Sequence, residues 1–155
     1  MGRRRKARES ALQILFELEF NNTQLEKTLC EYWENRAASE AVNEYANWLV
    51  KGITSHQQEI DKIIQSTSKH WRISRMALVD RNILRIAVFE LLYEENIAAA
   101  VIINEAIEIA KKYSSEDAAT FVNGVLDAVR KKLETKKNSL KEGKNVRKKP
   151  LSKKR

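Results

Sequence analysis

Apolar residues recur along this chain in helical rather than alternating register. Ala11, Ile14, Leu15 and Leu18 stand at i, i+3, i+4 and i+7, with Leu12 and Phe16 widening the stripe. That spacing predicts an amphipathic helix. Asn21–Asn22–Thr23 interrupts it, and Leu25, Leu29, Tyr32 and Trp33 mark a second helix. Ser39 is placed to cap a third, since a Ser side chain can accept from an unpaired first-turn N–H. The stripe of this third helix runs through Val42, Tyr45, Ala46, Leu49, Ile53, His56, Ile60, Ile63 and Ile64, as one long helix to about Gln65. Gly52 lies inside it at a cost of roughly 1 kcal/mol relative to Ala, which a close helix–helix contact would explain.

The pattern loosens over "SKHWRISRMALVD", a connection with room for a short helix. Asp80 is a candidate cap for the next helix, whose buried face is Leu84, Ala87, Val88, Leu91 and Leu92. "ENIAAA" breaks the register, and Ile102, Ala106, Ile109, Ala110 and Tyr113 restore it. Ser114 and Asp117 resemble a capping box with Asp in place of Glu. The last helix then carries Ala118, Val122, Val125, Leu126, Val129 and Leu133. The prediction is an all-α fold of six to seven helices in two small packed bundles, about residues 1–66 and 74–137. A basic tail over 138–155, low in apolar residues, is expected to be disordered.

Composition narrows the class. One proline and four glycines in 155 residues suit helices, and the lone Cys30, a small core residue or a surface thiol, excludes an intrachain disulfide framework. No apolar run approaches the roughly 18 residues that span a bilayer, and no signal peptide is recognisable, so a cytoplasmic protein is expected. Gly2, Gly52, Gly124 and Gly143 are too scattered for a phosphate-cradling loop. Two histidines and one cysteine do not make the usual zinc site. His56 reads as a partly buried stripe residue, and His70 has no neighbour of metal-ligand type. Glu105 and Glu108 share a helix face and read as a solvated pair. No catalytic, cofactor or metal site is expected.

Charge changes the picture more. The net charge is +8, but the first eight residues hold Arg3, Arg4, Arg5, Lys6 and Arg8, and residues 135–155 hold ten Lys or Arg against one acid. The ends are thus +5 and +9 and the body, residues 9–134, is −6. Basic ends on an acidic body act as electrostatic arms for a polyanion, although the tail alone reads equally as a solubilising segment. A cation at a helix N-terminus costs roughly 0.3–1 kcal/mol, so an arginine cluster there makes sense where a polyanion supplies the missing charge. On a helical wheel Arg4 and Arg8 fall on the side of Ala11, Leu12 and Leu15. Either the helix begins only near Arg8, or the stripe runs past the rim of the core and the arginines project beyond it. Phe16 at the stripe's edge would add an aromatic, the pairing that grips single-stranded bases; the alternative is a buried Phe16 and solvated arginines. Asn123–Gly124 offers an amide and a close backbone approach, or else a helix-packing site at Gly124.

Three stretches, "RRRKARESALQILFELE", "DRNILRIAVFELLY" and "INEAIEIAKKYSSEDAATFVNGVLD", occur in this order. Over about residues 3–134 they resemble the family of the bacterial transcription antitermination factor NusB. The resemblance implies two helical bundles packed across each other and no enzymatic activity. It implies binding to the boxA element of nascent ribosomal RNA as a heterodimer with NusE, a small-subunit ribosomal protein, and indirect links to RNA polymerase and other Nus factors. Carried over by position, Arg4, Arg5, Lys6 and Arg8 would contact RNA, with Phe16 where the family often has tyrosine. Asp117, Phe121 and Asn123 match the RNA surface, and Asp80, Arg81, Arg85 and Glu90 match a partner-facing surface. "NIAAAV" departs from the family's Asp-Ile-Pro turn. A homodimer that hides the RNA surface is conceivable.

Rival readings are a basic helical DNA-binding protein, without a visible recognition helix, and a structural adaptor using the acidic body. A third is the NusB-like domain of an RNA-modifying enzyme, for which the chain ends before any cofactor-binding domain.

Overall fold

Helix α5 (Leu78–Tyr93) is the axis of the computed structural model, buried without a break from Asn82 to Glu90. The structure describes residues 2–20 and 24–153, with side chains to residue 140. Around α5 stand α1 (Gly2–Phe20), α2 (Leu25–Glu34), α3 (Glu40–Ser55), α4 (Gln57–Thr67), α6 (Ala99–Tyr113) and α7 (Glu116–Lys153), with a 3₁₀ turn at Ile73–Arg75. No strand occurs among the described residues. Helices α1, α2 and α3 pack together, α6 packs on α7, and α5 lies against α1, α3, α4, α6 and α7. The helices share one apolar core that includes Ile14, Leu49, Ile53, Leu84, Val88, Ile102 and Leu126. No helix among the described residues is long and apolar enough to cross a membrane.

Local chemistry explains the starts and stops. Ser39 caps α3, its hydroxyl accepting from the Val42 N–H at 3.3 Å. Gly52 does mark a close contact: a Cβ there would fall on the ring of Phe89. Ser115, not Ser114, caps α7, accepting from the Ala118 N–H at 3.0 Å, because Ser114 is still occupied in closing α6. Asp80 is not the cap of α5. Ala77 holds that position, and Asp80 sits in the first turn, where its charge complements the helix dipole.

The long third helix predicted from the stripe is two helices, broken at His56 (φ −115°, ψ 20°). His56 is half-buried, its Nδ1 2.9 Å from the Gly52 carbonyl oxygen. The break turns α4 so that it packs on α5 and α7, and Ile53, Ile60 and Ile64 remain buried on both sides of it. Periodicity survives a one-residue break, so the stripe alone did not reveal the turn. The predicted break at 21–23 lies outside the described residues. Past Leu133 the apolar stripe of α7 ends; residues 138–140 continue the helix, exposed. The side chains of 141–155, most of the expected tail, lie outside the described residues.

Candidate nucleic-acid interface

Helix α1 begins at Gly2 and has no acid in its first turn. The stripe therefore does run on through Arg4 and Arg8, but Arg8 enters the core rather than projecting past it. Only 2% of Arg8 is exposed. Its Nε and Nη2 donate to the two oxygens of Glu90 at 2.8 and 2.9 Å, and the Tyr45 hydroxyl donates to Glu90 Oε2 at 2.6 Å. Burial opposes the Arg8 charge, yet the hydrogen bond and charge of Glu90 outweigh it and hold the guanidinium above its ordinary pKa. Burial, then the Glu90 charge, pushes the Tyr45 phenol far above the ordinary tyrosine range. Arg8 and Glu90 were expected to face RNA and a partner respectively. The structure corrects both: they neutralise each other inside the protein, clamping α1 to α5.

The remaining cations fan out from this clamp. Arg5 Nε donates to Glu105 Oε2 at 2.7 Å, which ties α1 to α6. Glu105 is buried, not the solvated carboxylate its spacing to Glu108 suggested. The Arg4 guanidinium carbon lies 3.8 Å from the Tyr45 ring centroid, with Glu94 4.0 Å away. Arg3, Arg4 and Lys6 are exposed, and Arg3 and Lys6 make no ion pair among the described residues. Arg3 and Arg4 form a ridge between two grooves. One, of about 930 Å³, runs past Lys6 towards Arg36 and Ser39. The other, of about 510 Å³, runs along α3 past Tyr45 and Trp48.

Asp80, Asp117 and Phe121 come together elsewhere, in a groove of about 440 Å³ that also includes Trp71 and Arg75. It shares no lining residue with the two arginine grooves. Asn123 is exposed on the opposite side of α7 from Phe121, since two residues turn a helix by about 200°. Gly124 beside it has open space where a Cβ would stand, so it is not a packing glycine. Phe16 is 46% exposed and paired with the 68% exposed Phe20, ring centroids 4.8 Å apart. It is therefore not buried, but it lies 11 residues beyond Arg5, about 16 Å along the helix.

Arg85, also expected to face a partner, is buried and donates to both oxygens of Asp61 at 2.9 Å; it ties α4 to α5. Arg81 donates to Glu19 at 3.0 Å, joining the far end of α1 to α5. Sequence reasoning missed Tyr45, Trp48 and Arg36 as site residues. Glu105 was legible in principle, since it falls in line with Ile102, Ala106 and Ile109. No cluster of His, Cys, Asp and Glu suited to a metal occurs among the described residues.

Comparison with known proteins agrees with this architecture. The model of the NusB family matches residues 5–131. The chain is 48% identical over 133 residues to the transcription antitermination protein NusB of Bdellovibrio bacteriovorus, covering 83% of this chain and 95% of the relative. The namesake in Thermodesulfovibrio yellowstonii is 43% identical over 139 residues, covering 83% and 92%. Among solved structures, T. maritima NusB superposes with a TM-score of 0.76 at 39% identity, over 83% of this chain and 90% of that one. A structure of the antitermination factors NusB and NusE in complex with dsRNA gives 0.74 at 34% identity, over 84% and 98%.

Proposed function

The chain belongs to the NusB family, and from that premise we propose that it is a transcription antitermination factor, a non-catalytic adaptor that binds RNA together with NusE. The RNA is the boxA element of a nascent ribosomal transcript, held single-stranded. The complex acts in the cytoplasm and reaches RNA polymerase through other Nus factors. The observation that carries this reading is the basic ridge at the start of α1. Arg3, Arg4 and Lys6 stay exposed, while Arg8 and Arg5 are consumed by buried carboxylates that fix the helix in place. The clamped helix holds these cations close together in space, and each phosphate they neutralise releases counterions.

The groove with Asp80, Asp117 and Phe121 extends the contact surface towards RNA or NusE, and Asn123 with Gly124 offers a separate open face on the other side of α7. Asp80 and Arg81 are the members of the expected partner surface that remain partly exposed. Arg85 and Glu90 act through the positions they enforce. A homodimer that covers the basic ridge would compete with RNA.

The test is binding of a boxA RNA strand with and without NusE over a salt series, with duplex RNA of the same sequence as competitor. NusE is expected to tighten binding by about 5–150-fold, the usual size of a coupling between sites, and single-stranded RNA to outcompete duplex. No effect of NusE contradicts the adaptor mechanism. Duplex outcompeting the single strand overturns the single-strand reading.

A further inference from the structure

We propose that Trp48 and Tyr45, with Arg3 and Arg4 above them, form a base-stacking subsite for single-stranded RNA on α3, continuous with the basic ridge; this rests on the RNA-binding reading above. Ala41, Glu44, Tyr45 and Trp48 stand at i, i+3, i+4 and i+7 and line one groove with Arg3 and Arg4. They are one face of α3 turned towards the start of α1, and that face is not buried: Trp48 is 38% exposed. A tryptophan left this open on a helix otherwise rich in buried apolar residues has a face to offer.

The subsite is rigid. Trp48 is backed by the buried Phe89 ring at 4.9 Å, and by Tyr45 at 5.3 Å. Tyr45 is fixed in turn by its hydrogen bond to Glu90 and carries the Arg4 guanidinium on its ring. A fixed indole loses little entropy when a base stacks on it, and stacking accepts any base because each has a π-face. The charges fit a nucleotide. Arg3 and Arg4 lie where a phosphate on either side of the stacked base would pass. Glu44 repels phosphate, but it can accept from an exocyclic amine or a 2′-hydroxyl, which favours the base and sugar over α3 and the phosphates over α1. A protein partner is the other class that an exposed tryptophan could serve; the adjoining arginines favour RNA.

The experiment uses the full chain and a fluorescein-labelled boxA-type RNA strand, read by anisotropy over a salt series. Trp48→Ala is expected to weaken binding by about tenfold with an unchanged salt slope, because a stacked base carries no counterion release. Trp48→Phe should retain most of the affinity. Arg4→Gln should weaken binding and lower the slope by about 0.7, the loss of one single-strand phosphate contact. Ultraviolet cross-linking of the unaltered chain to thiouridine-substituted RNA should label the peptide carrying Tyr45 and Trp48, and this reading needs no variant to fold. Trp48→Ala within about twofold of the parent, with no label on that peptide and Arg4→Gln still impaired, overturns the subsite and leaves the RNA function standing. Loss of NusE affinity with RNA affinity intact makes the face a protein-docking one and equally overturns it. If neither Arg4→Gln nor a combined Arg3, Arg4 and Lys6 variant weakens RNA binding, the RNA reading itself fails.

Discussion

Arg8 shows how one residue of a basic run can serve the fold while its neighbours serve the ligand. Its bidentate pair with Glu90 lies almost wholly inside the protein, so the partners are only as stable as each other. Arg8→Ala leaves the Glu90 carboxylate buried and uncompensated, and should destabilise by about 3–5 kcal/mol in urea denaturation. Arg8→Met combined with Glu90→Leu and Tyr45→Phe should recover much of that, because both charges go together with the hydroxyl that donates to Glu90. Recovery no better than the single variant would mean that the pair is not the source of the loss. Tyr45 gives the same cluster a pH signature. Its folded pKa is raised above the ordinary 10.0, so its contribution is full below that value. It fades as pH climbs past 10.0 and the unfolded chain alone ionises. The stability gap between the parent and Tyr45→Phe should therefore narrow above that pH in chemical denaturation curves; a constant gap would show that burial beside Glu90 does not raise the phenol's pKa. The sequence placed Arg8 in line with the buried stripe, and that was the legible part. Its partner stands 82 positions away, and no local pattern joins two such residues.

At the level of the helix, two glycines in similar local settings have opposite meanings. Both interrupt apolar stripes, and from sequence both could mark a close packing contact. Gly52 lies against Phe89, whereas Gly124 faces open space. Gly52→Ala must displace a buried ring and should cost about 1–3 kcal/mol. Gly124→Ala fills nothing and gains helix propensity, so it should stabilise by about 1 kcal/mol, a rise in melting temperature of about 2–4 °C for a chain of this size. Thermal unfolding of the pair tests both signs at once. A melting temperature for Gly124→Ala at or below the parent's would show that α7 needs the glycine for its own geometry. Wheel arithmetic identified both positions, but what a helix face meets is a property of its neighbours. The same limit explains the third helix. Its stripe persists on both sides of His56, so periodicity described two helices as one, and only the packing of α4 on α5 and α7 separates them.

For the whole molecule, what was legible was the segregation of charge, +5 and +9 at the ends against −6 between them. The fold then resolves that acidic body. Part of it is internal: Glu90 and Glu105 lie buried opposite Arg8 and Arg5. The basic start is therefore less free than its count suggests, with three exposed cations, Arg3, Arg4 and Lys6, in place of five. This raises the share of nonspecific attraction left to the other basic end. Residues 138–155 hold eight Lys or Arg and one acid, beyond the last residue of the apolar stripe of α7. Deleting them should leave the melting temperature unchanged, since residues 138–140, where the described side chains of this stretch lie, are exposed. It should weaken RNA binding most at low salt and make the plot of affinity against salt shallower by about 0.7 for each phosphate the tail had met. The difference between full-length and shortened chains should vanish at high salt, where screening shortens the reach of exposed charge to about 3 Å. Affinity and slope both unchanged would mean that the tail meets no phosphate, and that the three exposed cations of α1, with its neighbouring grooves, account for the whole electrostatic attraction.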